Sequence, residues 1–293
     1  MVPQSTISSS TEWISGISLD QDTHPRVRFH PADEDTGIVF VRSDLEDGPS
    51  VHCRPENLQS MPRWTSLKEN GRWVHHTEHV LASIALCGVD NIRIEMDSDR
   101  LPMTGNGTCA AFVEAIIRAG LVQQTKPRLV YALKSPVFYI AAENTQGEKS
   151  ECPPLTNGRY IIGLPSDTLS VTTVFHWSHM PLLPVGIGEF EAGDNQAVDT
   201  LAQSRSYLVE AEMAQAEKVL GSIRERVLML YPGCNPSLAH EAARHKIVDF
   251  LGDMMILGRP LIGRFAAFRA GHRIHHEYLR HLWDQNLLLL NAG

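Results

Sequence analysis

His245, Asp249 and Asp253 recur at four-residue spacing within RHKIVDFLGDMMILGRP, residues 244–260. On an α-helix that spacing stacks the three side chains on one stripe. Ile247, Val248, Phe250, Leu251, Met254, Met255 and Leu257 form the apolar remainder that buries the element. Gly258 and Pro260 supply the stop, one for a left-handed terminus and the other because it cannot continue the helix. Burying imidazole and carboxylate groups costs several kcal/mol unless each finds a partner or a cation. His245 and Asp249 therefore offer two of the three protein ligands of a catalytic zinc site, a site in which the pKa of bound water falls to about 7. For an isolated His-x-x-x-Asp the commoner alternative is a helix whose polar face meets water, so the remaining groups must come from elsewhere in the chain.

Two other stretches supply them. Glu78-His79 opens another helix and is the best source of the third ligand, because a carboxylate beside a ligand places a general base next to the water, as the Glu of His-Glu-x-x-His does in other zinc enzymes. Gly271-His272 follows a strand and aims an imidazole at the site. Asp253, one turn beyond Asp249, can fix the tautomer of that imidazole or hold it as imidazolium, which supplies an acid for a leaving group. The competing reading of His272 is a surface histidine beside His275 and His276.

The positioning elements follow from periodicity. Residues 1–10 read as frayed, 26–30 and 37–41 as two antiparallel strands around a turn, and 44–72, with Pro49, Pro55 and Pro62, as a loop or small insert. Thr77 is the expected N-cap of a helix with the stripe Val80, Leu81, Ile84, Ala85 and Leu86, ended by Gly88. A strand over 91–96, a Gly-rich turn over 101–108 and a helix over 109–118 complete the first half. The second half begins again with the strands LVYAL, PVFYIAA, YIIGL and LSVTTVFHW, a loop through Pro153 and Pro154, and a helix near Ala197. The helix of His245, a strand over 261–269 and a last helix from about His275 complete it. Strands followed by helices in each half predict an α+β fold of two similar subdomains, 1–124 and 125–293, rather than a doubly wound parallel sheet.

Composition bounds the function. With 293 residues, 43% hydrophobic and 20% charged, the chain can bury a sizeable core, and its net charge of -8 argues against nucleic acid as a partner. Arg264, Arg269, Arg273 and Arg280 still form a local basic run able to hold a phosphate. Five scattered cysteines without a Cys-x-x-Cys pair indicate neither a disulfide framework nor a thiolate zinc site. No apolar run reaches the roughly 18 residues of a membrane span, and no secretory signal pattern opens the chain, so a soluble cytoplasmic protein is expected.

In combination, Thr77-Glu78-His79 with its apolar helix and Gly88-Val89-Asp90-Asn91, His245-Lys246-x-x-Asp249-x-x-Gly252-Asp253 with Leu257-Gly258, and Gly271-His272 resemble the UDP-3-O-acyl-N-acetylglucosamine deacetylases (LpxC) of lipid A biosynthesis. The resemblance extends to Asp35-x-Gly37-Ile38, Arg42-x-Asp44-Leu45 and the stretch from Pro102 to Gly120. It implies two α+β subdomains, each a small β-sheet packed on helices, with one zinc ion between them held by His79, His245 and Asp249. It makes Glu78 the general base, His272 the acid that protonates the departing amine, Asp253 its electrostatic partner and Lys246 a substrate contact. Ser206, between Arg205 and Tyr207, stands where the family has a Thr-Phe pair, and its hydroxyl can still stabilise an oxyanion. The implied substrate is an acylated UDP-sugar that loses its N-acetyl group, with membrane contact limited to a transient surface encounter through that lipid. Residues 15–24, the Asn106-Gly107-Thr108 turn and the shorter stretch between Ser206 and His245 depart from the family pattern. A deacetylase for a different N-acetyl sugar and a non-catalytic zinc-binding relative therefore stand as alternatives.

Overall fold

The structure is a computed structural model that describes residues 2–18, 23–61, 63–141, 158–214, 216 and 226–293. Among these residues the α-helices are α1 (Glu78–Leu86), α2 (Ala110–Ala119), α3 (Asn195–Ala202), α4 (Pro236–Met254) and α5 (His272–Asp284). They pack with several small sheets in a mixed α+β arrangement. The loop expected through Pro153 and Pro154, and Cys152 beside it, lie outside the described residues. Pro62, residues 19–22 of the altered early loop and part of the stretch between Ser206 and His245 do so too.

Two connected sets of strands surround the helices. A five-stranded sheet takes the order Ile14–Ser15, Arg26–Pro31, Ile92–Met96, Ile38–Arg42, Ser50–His52. The two strands expected to pair around residues 31–36 are thus both present but do not pair. Ile92–Met96 lies between them, antiparallel to Arg26–Pro31 and parallel to Ile38–Arg42. Its Ile92, Ile94 and Met96 are fully buried, as a strand paired on both edges requires. The larger sheet runs Val137–Ile140, Tyr160–Leu164, Leu261–Phe268, Leu129–Leu133, Leu288–Ala292, with Leu169–Phe175 also paired to Leu261–Phe268 and Gly186–Glu191 beyond it.

A further expectation is corrected, and of the two readings of 44–72, loop or small insert, the insert holds. Residues 3–7 are a strand, not a frayed end: Pro3–Ile7 pairs antiparallel with Leu121–Pro127, and Gln4 and Ile7 are buried. The side-chain amide of Gln4 donates to Asp35 and its carbonyl accepts from Asn91, so polar side chains fasten this segment where periodicity shows little. The stretch 44–72 contains strands Leu58–Ser60 and Thr65–Glu69, which form a three-stranded sheet with Arg72–His75. Pro55 opens a single 3₁₀ turn, Pro55–Asn57, just before the first of these strands, and such short elements leave little periodicity to read.

α4 is longer than the segment that carries His245, Asp249 and Asp253. It starts at Pro236, where the Asn235 side chain accepts from the Ser237 amide and proline occupies a first-turn position that needs no N–H. After Met254 a single 3₁₀ turn, Met255–Leu257, leads to Gly258 in the left-handed conformation that the stop signal predicts. α4 packs against α1, α5 and the strands Leu169–Phe175 and Gly186–Glu191. That enclosure buries the apolar residues of α4, while its buried His245, Asp249 and Asp253 each have a polar partner that offsets the cost of burial.

Candidate active site and metal centre

Glu78 and His79 are the first two residues of α1. Thr77 precedes them, but it does not cap with its hydroxyl; its N–H and Oγ1 both donate to the Thr65 carbonyl, at 3.1 and 3.3 Å. The helix start is thereby tied to the strand Thr65–Glu69. The Thr65 amide returns a hydrogen bond to Glu78 Oε2 at 2.9 Å. Gly252 of α4 packs on the Glu78 backbone, which brings the helices that carry His79 and His245 into direct contact.

His79, His245 and Asp249 offer ligand atoms that all lie within 4.8 Å of one another. The His79 and His245 rings meet edge to face at 5.1 Å between centroids, and His245 Nε2 stands 3.4 Å from Asp249 Oδ1. His245 Nδ1 lies 3.0 Å from the Ser204 carbonyl, which fixes the proton on Nδ1 and leaves Nε2 with a free lone pair facing the other two. Burial pushes the pKa of His79 down to about 3 and that of His245 down as well. Burial opposes ionisation of Asp249, but His245, His272, Lys246 and His79 together outweigh it and hold the carboxylate ionised. Two neutral imidazoles and one carboxylate are the protonation states that a divalent transition ion requires, so the donor set fits zinc.

Further ionisable groups stand around these three residues. Glu78 is buried, and desolvation raises its pKa against the pull of His272, His76 and the Thr65 amide. His272 Nδ1 is 2.9 Å from Asp253 Oδ2, and its Nε2 is 3.8 Å from Asp249 Oδ1. Burial alone disfavours its imidazolium, yet Asp253, Asp249 and Glu78 overcome that and raise its pKa to about 10. Lys246 Nζ sits 3.6 Å from Asp249 Oδ2 and 5.3 Å from the centre of the Tyr207 ring, and these two contacts hold the ammonium protonated despite burial. Ser206 Oγ donates to the Gly107 carbonyl at 2.9 Å and stands 3.3 Å from His245 Nε2. The eight residues singled out from the sequence thus converge on one region.

His275 and His276 are not at the surface. His272 begins α5 rather than lying on a turn before it, so His272, His275 and His276 fall at i, i+3 and i+4 on one face, and the latter two are fully buried. His275 Nδ1 reaches Asp253 Oδ2 at 2.8 Å, and Thr65 Oγ1 reaches Asp253 Oδ1 at 2.5 Å and His276 Nε2 at 2.8 Å. Gly271 is the residue before the helix, and reading it so from the sequence places the three histidines on one face. Nothing local in the sequence marks Thr65, which comes from a strand in a proline-interrupted stretch.

A cavity of about 750 Å³ opens over Glu78, His79, His245, Asp249 and His272. Met61, Trp64, Phe175, Trp177, Leu208 and Val227 give it apolar walls, while Arg63, Arg159, Arg269 and Arg273 add cationic ones. Of the basic run noted in the sequence, Arg269 and Arg273 line this cavity, Arg280 donates to the Leu58 carbonyl, and Arg264 lies elsewhere.

A family described as LpxC, UDP-3-O-acyl N-acetylglycosamine deacetylase, matches residues 4–284. The UDP-3-O-acyl-N-acetylglucosamine deacetylase of Oleidesulfovibrio alaskensis is 33% identical, over 98% of this chain and 91% of its own. Proteins of the same name from Thermosynechococcus vestitus and Bdellovibrio bacteriovorus are 28% and 27% identical, each over 97% of this chain and over 95% and 91% of their own lengths.

Proposed function

The chain belongs to the UDP-3-O-acyl-N-acetylglucosamine deacetylase family, and from that membership we propose that its cavity removes the N-acetyl group of UDP-3-O-acyl-N-acetylglucosamine in lipid A biosynthesis. The observation that carries this reading is the joint presence of a neutral-imidazole and carboxylate triad, His79, His245 and Asp249, with a buried carboxylate, Glu78, and a charge-paired imidazole, His272, over one cavity. A purely structural metal site has no use for the last two. The apolar and cationic walls suit a substrate that carries both an acyl chain and a diphosphate.

His79, His245 and Asp249 would hold the zinc. When bound there, the ion supplies Lewis acidity that polarises the amide carbonyl and strengthens water as a nucleophile. Glu78 accepts a proton from the attacking water, a task suited to a carboxylate whose pKa burial has raised. His272, oriented through Nδ1 by Asp253, gives a proton from Nε2 to the nitrogen as the C–N bond breaks, and acetate and a free amine result. Ser206 and the Lys246 ammonium lie where they can donate to the developing oxyanion and to the substrate. The ligands come from α1, in the chain's first half, and α4, in its second, which supports two subdomains, 1–124 and 125–293, meeting at the metal. Among the described residues no helix is long and apolar enough to cross a membrane.

The test is amine release from UDP-3-O-acyl-N-acetylglucosamine by purified protein of known zinc content. Release at one active site per zinc is expected. Release from other N-acetyl sugars alone moves the assignment to a different deacetylase, and release from none, with zinc bound, favours a non-catalytic relative.

A further inference from the structure

Thr65 touches both sides of the site. Its backbone N–H donates to Glu78 Oε2 at 2.9 Å, and its carbonyl accepts from the Thr77 N–H at the start of α1. Its hydroxyl meets Asp253 Oδ1 at 2.5 Å, His276 Nε2 at 2.8 Å and His272 Nδ1 at 3.3 Å. The residue is fully buried.

Donor accounting orders these contacts. A threonine hydroxyl has one proton and two lone pairs, and a carboxylate only accepts. Thr65 Oγ1 therefore donates to Asp253 Oδ1 and accepts from His276 Nε2–H, while Ser60 Oγ, 3.2 Å from His276 Nδ1, satisfies the other side of that ring. Asp253 Oδ2 is left to accept from both His272 Nδ1–H and His275 Nδ1–H, at 2.9 and 2.8 Å. Three donors on two oxygens fix the plane of the Asp253 carboxylate. That plane aims His272 so that Nε2, and not Nδ1, faces the cavity.

We propose that Thr65 is a positioning residue that sets the general base and the general acid in one register, Glu78 through its backbone and His272 through Asp253. This rests on the deacetylase reading of the site. The strand itself does not need the hydroxyl: Thr65 pairs with Ser60 in the three-stranded sheet, and a valine would serve that pairing equally well. What valine cannot do is donate to Asp253 or accept from His276.

Thr65→Val keeps the shape and the backbone N–H to Glu78. With zinc still at one per chain, its kcat for the amide should fall by about 10–100-fold, the usual worth of a group orienting a functional side chain, with KM within about twofold. Thr65→Ser, which restores the hydroxyl, should recover most of the rate. The deficit of Thr65→Val should shrink on the substrate's O-acetyl ester counterpart, because an alkoxide leaves with less need of a proton than an amine does. A wild-type kcat in Thr65→Val, an equal deficit on amide and ester, or no recovery in Thr65→Ser would overturn the proposal. Should Thr65→Val fail to fold, Thr65→Cys keeps the bulk with a weaker donor and should fall below Thr65→Ser; equal rates for the two overturn it as well. If the wild-type chain releases no amine, the function reading fails on its own. The placement is then read from the imidazole N–H resonances of His272 and His276, which Thr65→Val should move and which, if unmoved, overturn it.

Discussion

A Cβ on Gly252 would stand 2.1 Å from the backbone carbonyl oxygen of Glu78, so α4 and α1 meet backbone to backbone beneath the site. No flexible side chain lies at that contact to give way. Gly252→Ala must push the helix carrying His245 and Asp249 away from the helix carrying Glu78 and His79. A cost of about 1–3 kcal/mol is expected, the range for overpacking a tight interior, together with a lower thermal midpoint and weaker zinc binding. Calorimetry and zinc titration check it; an unchanged midpoint and affinity would mean that the two helices separate without consequence.

Replacing the ligands separates metal binding from chemistry. His79→Ala, His245→Ala and Asp249→Ala each remove one donor from the triad and should drop zinc well below one per chain. Glu78→Ala removes the proposed base but none of the three proposed ligands, so it should keep zinc and lose turnover. Elemental analysis after dialysis, alongside amine release, distinguishes the two classes, and a Glu78 variant that loses its zinc with its activity would place that carboxylate among the ligands.

Much of the site is legible in the sequence because its members are local. The His245, Asp249 and Asp253 stripe is set by helical periodicity alone, and Glu78-His79 stands at the start of a helix that Gly88 ends. The parts that escape depend on pairing across the chain. Ile92–Met96 inserts between two strands adjacent in sequence, Pro3–Ile7 is held by side-chain amides, and Thr65 reaches Asp253 across 188 positions. His275 and His276 are a different case. Their burial follows from starting α5 three residues earlier than the apolar pattern suggests, since a glycine without a side-chain cap marks that start weakly.

Ser206 gives a test of the substituted position. Its hydroxyl donates to the Gly107 carbonyl while standing 3.3 Å from His245 Nε2, close enough to turn toward an oxyanion formed beside the triad. Ser206→Ala should lower kcat by a factor of about 10²–10³, the usual cost of deleting an oxyanion donor, with KM little altered. Steady-state kinetics decide it. A rise in KM at constant kcat would assign Ser206 to binding instead.

The pairing of His272 with Asp253 fixes how the protein responds to pH. Burial disfavours the His272 imidazolium, but Asp253, Asp249 and Glu78 raise its pKa from the ordinary 6.5 to about 10. A raised folded-state value means that the stabilisation is fully present below about pH 6.5 and is lost as pH rises through about 10. In the metal-free protein the thermal midpoint should therefore decline across that interval, and Asp253→Asn should flatten the decline because the folded-state value moves back toward the unfolded one. Bound zinc adds positive charge nearby and opposes the shift, so the falling limb of kcat should lie below the value for the metal-free protein. His272 must be protonated to donate to the amine, hence Asp253→Asn should also move that limb to lower pH, and His272→Ala should cost a factor of about 10²–10⁴, the range for general acid–base catalysis. The measurement is kcat against pH for the three proteins. If both variants keep the wild-type rate and limb, His272 does not donate the proton, and Glu78 must return to the amine the proton that it took from water.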